Sequence, residues 1–328
     1  MNAKDLSNVT IVVAARNEEA HIKACIDSLL IAAEGRAEVW VVDDGSSDGS
    51  RKILESYDTK IRILSGEGQG PARARNEAAA VSVRTWIAFT DADCVVSPDW
   101  LKQLLIGLER APATVVSVGG RQALSPAAGA VERQIVSFFE TVGFVSDYLH
   151  TSSDLRSVLH NPTCNVLYER SRLTEAGGFD EMLWPCEDLE LDLRMRDQGF
   201  EALFTPKAVV EHRRPETWNG LWRMMTRYGF GHAQLIKKRG FCQRIHLLPV
   251  VVPTAGAVFF LLVVSKPWVG LALLLAGLAF LVGYFKVRSK SLRSAFVFTS
   301  LTLASIFFWL LGFYSGIAGG RRIARKDE

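Results

Sequence analysis

The stretch FTDADC (Phe89 to Cys94) places two carboxylates one residue apart directly behind the apolar run WIAF (Trp86 to Phe89). WIAF has the bulky, β-favouring composition of an interior strand, so the charge falls on the rim of a sheet. On an extended backbone the side chains at i and i+2 point to one side. Asp91 and Asp93 would then converge and attract a hard divalent cation. A second polar stretch, GEGQGPARARN (Gly66 to Asn76), invites a phosphate-loop reading that its details oppose. It lacks the G-K-[ST] ending of a P-loop, and Pro71 interrupts a dinucleotide fingerprint. The expectation is a turn capped by a helix with Arg73, Arg75 and Asn76 on its first turns. Those side chains face either a base or diphosphate, or simply solvent.

Holding such groups at one rim requires strands that end together. VTIVVAA, AEVWVVDD, KIRILS and TWIAFTDAD read as strands, and NEEAHIKACIDSLLIAA, SDGSRKILESY and GPARARNEAAAVS read as helices between them. This alternation predicts an α/β fold with a doubly wound, mainly parallel sheet, whose ligands bind where strands end and helices begin. The polar residues fall at those ends: Arg16, Asn17 and Glu18 after the first strand, Asp43, Asp44 and Gly45 after the second, Gly66, Gly68 and Gly70 after the third.

The remainder of the chain is of another kind. Residues 1–206 carry 20 Lys+Arg against 31 Asp+Glu, whereas residues 207–328 carry 18 against 4. A basic half beside hydrocarbon-length runs points to anionic lipid head groups and away from nucleic acid. The runs 247–264, 268–285 and 295–319 are uncharged and long enough to cross a bilayer, giving about three transmembrane helices in a region 247–328 with a basic tail. Ahead of them, residues 216–246 carry Trp218, Leu221, Trp222 and Met225 at helical spacing. That helix either lies amphipathic in the head-group layer or packs its stripe on the soluble domain of residues 1–215. Basic clusters at 237–244 and 286–293 place the N-terminal domain in the cytosol of a multi-pass inner-membrane protein. A third full crossing would put RRIARK (Arg321 to Lys326) outside, against the same rule. The polar opening MNAKDLSN predicts no signal peptide, and five scattered cysteines predict a reducing compartment.

VTIVVAARNEE, VWVVDDGSSDGS, GPARARNEAA, FTDADC, EAGGFDE and CEDLELDLRMRDQGF, in that order, resemble glycosyltransferase family 2, inverting enzymes of the GT-A fold. The resemblance spans residues 8–235 and implies a nucleotide-diphospho-sugar donor, a UDP- or GDP-sugar. It implies that Asp44, with Ala14, Arg16 and Glu18, surrounds base and ribose, that Asp91, Ala92 and Asp93 form the D-x-D element, and that Asp188 is the catalytic base beside Glu187. Ala14 and Arg16 stand where the family often has Pro and Tyr. His212 matches a third metal ligand with Asp91 and Asp93. Arg75 is assigned to the donor, and Trp184 and Asn165 to the acceptor side. Asp192 and Arg194 are read as the charged face of an amphipathic helix.

Departure of a nucleoside diphosphate builds charge that Mn2+ or Mg2+ neutralises. An aspartate, ordinarily ionised at neutral pH, can accept the hydroxyl proton of the incoming acceptor. The function expected is transfer of a sugar to a lipid-linked or membrane-proximal acceptor. The alternatives are transfer to a polyprenyl phosphate, and a catalytically silent scaffold that binds nucleotide-sugar at the membrane.

Overall fold

The computed structural model describes residues 5–109, 111–143 and 155–319. The basic tail Arg321 to Lys326 lies outside the described residues. Two compact units are present: residues 5–128 with 155–214, and residues 129–143 with 215–319.

The first unit begins with β1 (Val9–Ala15), α1 (Ile22–Ala33), β2 (Glu38–Asp43), α2 (Ser50–Glu55), β3 (Arg62–Ser65), α3 (Pro71–Val81) and β4 (Trp86–Asp91). It continues through β5 (Cys94–Val96), α4 (Trp100–Glu109) and β6 (Val115–Ala123). The second unit contributes α5 (Ala130–Val142), after which β7 (Arg156–Val158), β8 (Val166–Glu169), α6 (Arg170–Glu175), α7 (Glu187–Asp197) and β9 (Glu201–His212) complete the first. The strands form one sheet in the order β3-β2-β1-β4-β8-β6-β9-β5, with β7 also on β9. The half from β3 to β4 is parallel, as the alternation of strands and helices predicts. Beyond β4 the sheet is mixed: β8 runs antiparallel to both β4 and β6, and β5 and β7 run antiparallel to β9.

β1 is buried along its whole length, and its alternate residues feed two cores. Val9, Ile11 and Val13 meet Ile22, Ile26 and Leu29 of α1 and Trp100, Leu101 and Leu104 of α4 on one face. Val12 and Ala14 meet Ala74 and Ala78 of α3 and Leu191 and Met195 of α7 on the other. A strand covered on both sides has no polar face, which is why VTIVVAA reads as a continuous apolar run. Beneath the rim, Phe89 packs edge-on against Phe179 and Tyr168, with centroids 5.4 and 6.2 Å away.

The second unit is helical: α5, then α8 (Trp218–Arg239), α9 (Leu248–Ser265), α10 (Pro267–Ser289) and α11 (Leu292–Ile317). The last three are long and apolar enough to cross a membrane. Single residue Lys266 joins α9 to α10, and Lys290 with Ser291 joins α10 to α11, so the basic cluster expected as a loop over 286–293 sits mostly on helix ends. The 216–246 segment, expected in the head-group layer or on the soluble domain, makes a further contact within its own unit. Leu221, Met224, Met225 and Gly229 of α8 are buried, and the indole of Trp222 stacks on Phe308 of the apolar helix α11 at 5.1 Å. At the crossing, a Cβ on Gly229 would overlap the Trp309 carbonyl, and one on Gly312 would overlap that of Thr226. Backbone touches backbone there, as small residues permit. α5, counted from sequence with the soluble domain, packs Phe138 on Phe298 at 5.8 Å and accepts a hydrogen bond from Arg288 at the Thr141 carbonyl (3.0 Å).

Candidate active site

The rim of the parallel half is built by loops that hold one another. Asp44, directly after β2, spends its carboxylate on the following glycine turn: Oδ1 accepts from the Gly68 and Gln69 N–H groups (2.8 and 3.2 Å) and Oδ2 from Gly70 N–H (2.8 Å). Gly66 can carry no side chain, since a Cβ would lie 2.7 Å from Asp44 Oδ1, and Gly68 and Gly70 adopt φ of +74° and +103°. The glycine run exists to wrap this carboxylate. Arg16 reaches the same turn through the Gly68 carbonyl at 3.5 Å. The backbone N–H of Glu18 donates to Ser50 Oγ (2.8 Å), pinning the first loop to the N-terminus of α2, while Ala14 is buried in the strand wall.

Arg75 is no surface arginine. It is 3% exposed and bonds Asp91 Oδ1 at 2.8 Å and Glu187 Oε1 at 3.0 Å. Burial pushes the Glu187 carboxyl up to about 7, the neighbouring Asp188 charge adds to this, and Arg75 opposes both. Asn76 is also structural, bonding the Phe179 backbone from both ends of its amide. Arg73 stays at the surface with Glu77 and Gln69.

The D-x-D element differs from its expected geometry. β4 ends at Asp91 and the chain turns at Ala92 and Asp93 before β5, so the extended i, i+2 relation is lost. Asp91 turns to Arg75. The convergent group is Asp93, Cys94 and His212, whose ligand atoms lie within 4.8 Å of one another, with Asp93 Oδ1 3.8 Å from His212 Nε2. Cys94 and His212 are cross-strand partners in β5 and β9, which brings them to one face. His212 Nδ1 lies 3.3 Å from Gln122 Oε1, an acceptor that Arg214 also engages. Nδ1 therefore carries the hydrogen and Nε2 presents its lone pair beside Asp93, the arrangement a metal-bound imidazole needs. An oxygen and a nitrogen donor fit Mn2+.

Asp188 stands in the first turn of α7, where helix N–H groups favour an acid. Its Oδ1 accepts from Leu189 N–H at 2.8 Å, and its Oδ2 faces Thr163 N–H at 3.4 Å and His160 Nε2 at 3.7 Å. Sequence reasoning passed over the residues behind it. Asp192, read as part of a solvated face, is 4% exposed and accepts from Tyr168 O–H (2.6 Å), Asn161 N–H (2.8 Å) and His160 Nδ1 (3.0 Å). Asp188 and Asp192 are four apart on one helix and so share a face, the one signal that could have revealed the pairing. Arg194 binds Glu190 and the carbonyls of Ala176 and Gly178, anchoring the loop ahead of α7.

The two acceptor assignments separate. Trp184 is half-buried in the turn that leads into α7. Asn165 is wholly buried, accepting from Trp100 Nε1 (2.8 Å) and donating to the Arg121 and Ala208 carbonyls (3.0 and 3.1 Å). It ties three elements together and has no surface for an acceptor.

Comparison with known proteins follows from this geometry. The model of glycosyl transferase family 2 matches residues 10–175, just over half of the chain. The probable glycosyltransferase YdaM of Bacillus subtilis is 27% identical over 246 residues, covering 72% of this chain and 58% of that protein. The pre-mycofactocin glycosyltransferase of Mycobacterium tuberculosis is 29% identical over 220 residues, covering 62% and 42%. The chain thus spans about half the length of these relatives. In fold it is similar to the mannosyltransferase PcManGT of Pyrobaculum calidifontis, solved with GDP-Man and Mn2+ (TM-score 0.67, 18% identity, 96% of this chain and 88% of that one). It is also similar to Staphylococcus aureus TarS 1-349 with UDP-GlcNAc (TM-score 0.51, 14% identity, 95% and 92%). The architecture is that of GT-A enzymes.

Proposed function

Since the chain belongs to glycosyl transferase family 2, we propose that it is a membrane-anchored, inverting enzyme carrying a sugar from a UDP- or GDP-sugar to a lipid-linked or membrane-proximal acceptor. The observation that carries the reading is Arg75, whose single guanidinium bonds Asp91 of the D-x-D turn and Glu187, the residue next to Asp188. Donor rim and base-bearing helix are thereby held at one place. Relatives that are glycosyltransferases and fold neighbours holding GDP-Man or UDP-GlcNAc support a nucleotide-sugar donor.

In this reading Asp44 and its glycine turn, with Ala14, Arg16 and Glu18, form the nucleotide side. Asp93 and His212 hold the divalent ion, which when bound neutralises charge on the departing diphosphate. Asp188 takes the proton of the acceptor hydroxyl as its oxygen attacks the anomeric carbon. The bond to the diphosphate breaks on the opposite face and keeps its electron pair on the leaving oxygen, so configuration inverts in one displacement. Trp184 borders the acceptor side. A membrane anchor raises the local concentration of a lipid-borne acceptor.

The test is the full chain in detergent or vesicles, offered UDP- and GDP-sugars with membrane lipid, with products read by mass. Asp188→Asn should lower transfer at least about 100-fold while nucleotide binding persists. Full activity in that variant removes the base assignment, and binding without turnover across all donors points to a silent scaffold. Chelation should abolish transfer, Mn2+ should restore it, and Asp93→Ala should not respond to Mn2+.

A further inference from the structure

His160 lies between β7 and β8 and is engaged from two sides by α7. Its Nδ1 is 3.0 Å from Asp192 Oδ2, and its Nε2 is 3.7 Å from Asp188 Oδ2. The side chain of Asp192 is only 2% exposed and is fixed by Tyr168 O–H and Asn161 N–H, so it cannot swing away. A carboxylate only accepts hydrogen bonds, so Nδ1 must carry a hydrogen and, in the neutral ring, Nε2 points its lone pair at Asp188. This tautomer is the one able to take a proton from Asp188.

The charges around the ring favour that uptake. Burial opposes a charge on His160, but Asp188 and Asp192 of α7 outweigh it, aided by Cys164, and its pKa is raised above the ordinary 6.5. Tyr168 of β8 acts on the ring only through Asp192. An ordinary aspartic acid, with a pKa of about 3.9, holds a proton poorly at neutral pH, whereas an imidazole flanked by two carboxylates holds it well.

We propose that His160 is the positioning residue of the base: Asp192 fixes its tautomer, so that its Nε2 stands ready to receive the proton that Asp188 takes from the acceptor. The inference rests on Asp188 being the base. The step balances. The acceptor O–H bond breaks as its oxygen bonds the anomeric carbon, the hydrogen passes to Asp188 Oδ2, and it then moves to Nε2, restoring the carboxylate and leaving an imidazolium between two anions. The proton leaves to solvent after product departs.

The neutral ring is the working form, so kcat should rise with pH through the titration of His160 and level off above it. His160→Gln keeps an amide that can donate toward Asp192 but cannot titrate. It should lower kcat about 10- to 100-fold, leave donor KM within about twofold, and erase that acid limb. His160→Ala should lose more and recover in part with added imidazole. A readout independent of turnover is the His160 titration followed by NMR on histidine-labelled full chain. Asp188→Asn should lower its midpoint by about one unit or more, since a facing charge is removed. Wild-type kcat in both variants, or an unmoved midpoint in Asp188→Asn, overturns the proposal. A wild type that transfers no sugar sinks the functional reading instead, and the NMR midpoint still decides the coupling.

Discussion

At the scale of residues, the site turns on how buried charges are matched. Arg75 is buried among Asp91, Glu187 and the nearby charge of Asp188, and those acids outweigh the burial that alone would lower its pKa. Removing it leaves carboxylates facing one another. Arg75→Met should cost roughly 3–5 kcal/mol, visible as a fall in the thermal midpoint of about 10 °C, with donor turnover lost. Glu187 should behave oppositely. Burial raises its folded pKa to about 7, above the ordinary 4.5, so between those values the folded chain binds a proton that the unfolded chain releases. Stability from this group is therefore greatest at low pH and declines as pH rises toward 7. Glu187→Gln, neutral at every pH, should match the wild type at pH 5 and exceed it in melting temperature at pH 8, and a constant gap between the two would refute the assignment. Of this site, the sequence displayed the acids at strand and helix ends, because carboxylates after apolar runs have few structural excuses. It concealed the partners. Asp192 looked solvated because charge on an amphipathic helix usually is, and His160 lies 32 residues from it in the chain, a separation that no local pattern spans.

At the scale of elements, legibility followed how local the cause was. β1, β2 and β4 announced themselves through continuous apolar runs, and three C-terminal helices through their length. β5 and β7, three residues each, carry too little pattern to read and are specified by pairing with β9. The turn at Ala92 and Asp93 was missed because it serves that pairing and not the local chain. It also explains why Asp93, and not Asp91, meets His212. The association of α8 with α11 was equally hidden, since an aromatic stripe with interleaved arginines does not say which surface it covers. The glycines say it better. Gly312→Leu should separate the two helices and lower the melting temperature of the detergent-solubilised chain by several degrees, an overpacking cost of about 1–3 kcal/mol or more. Gly277→Leu, on α10 with no atom within 4 Å of its added Cβ, should melt like the wild type. Equal behaviour of the two variants would show that the crossing does not exist in solution.

At the scale of the molecule, charge and hydrocarbon are sorted along the chain. The acidic first 206 residues are repelled by an anionic bilayer surface, whereas the basic remainder is drawn to it, and among the described residues only the second part has apolar helices long enough to cross. In the proposed reading α9, α10 and α11 hold the enzyme to the bilayer, so the first unit need not bind lipid by itself and its rim can be devoted to nucleotide and sugar. The short turns make the proposed topology sharp. Lys266 alone separates α9 from α10, so the proposed topology puts that one residue on the non-cytosolic side, and puts Lys290 and Ser291, flanked by Lys286, Arg288 and Arg293, on the cytosolic side. Placed as single cysteines in a cysteine-free background that keeps transfer activity, Lys266→Cys should react with a membrane-impermeant maleimide in intact cells. Ser291→Cys should react only after permeabilisation. The reverse pattern would put the catalytic unit outside, away from the cytosolic nucleotide-sugars the proposed reaction consumes, and labelling of both in intact cells would mean that α10 does not cross.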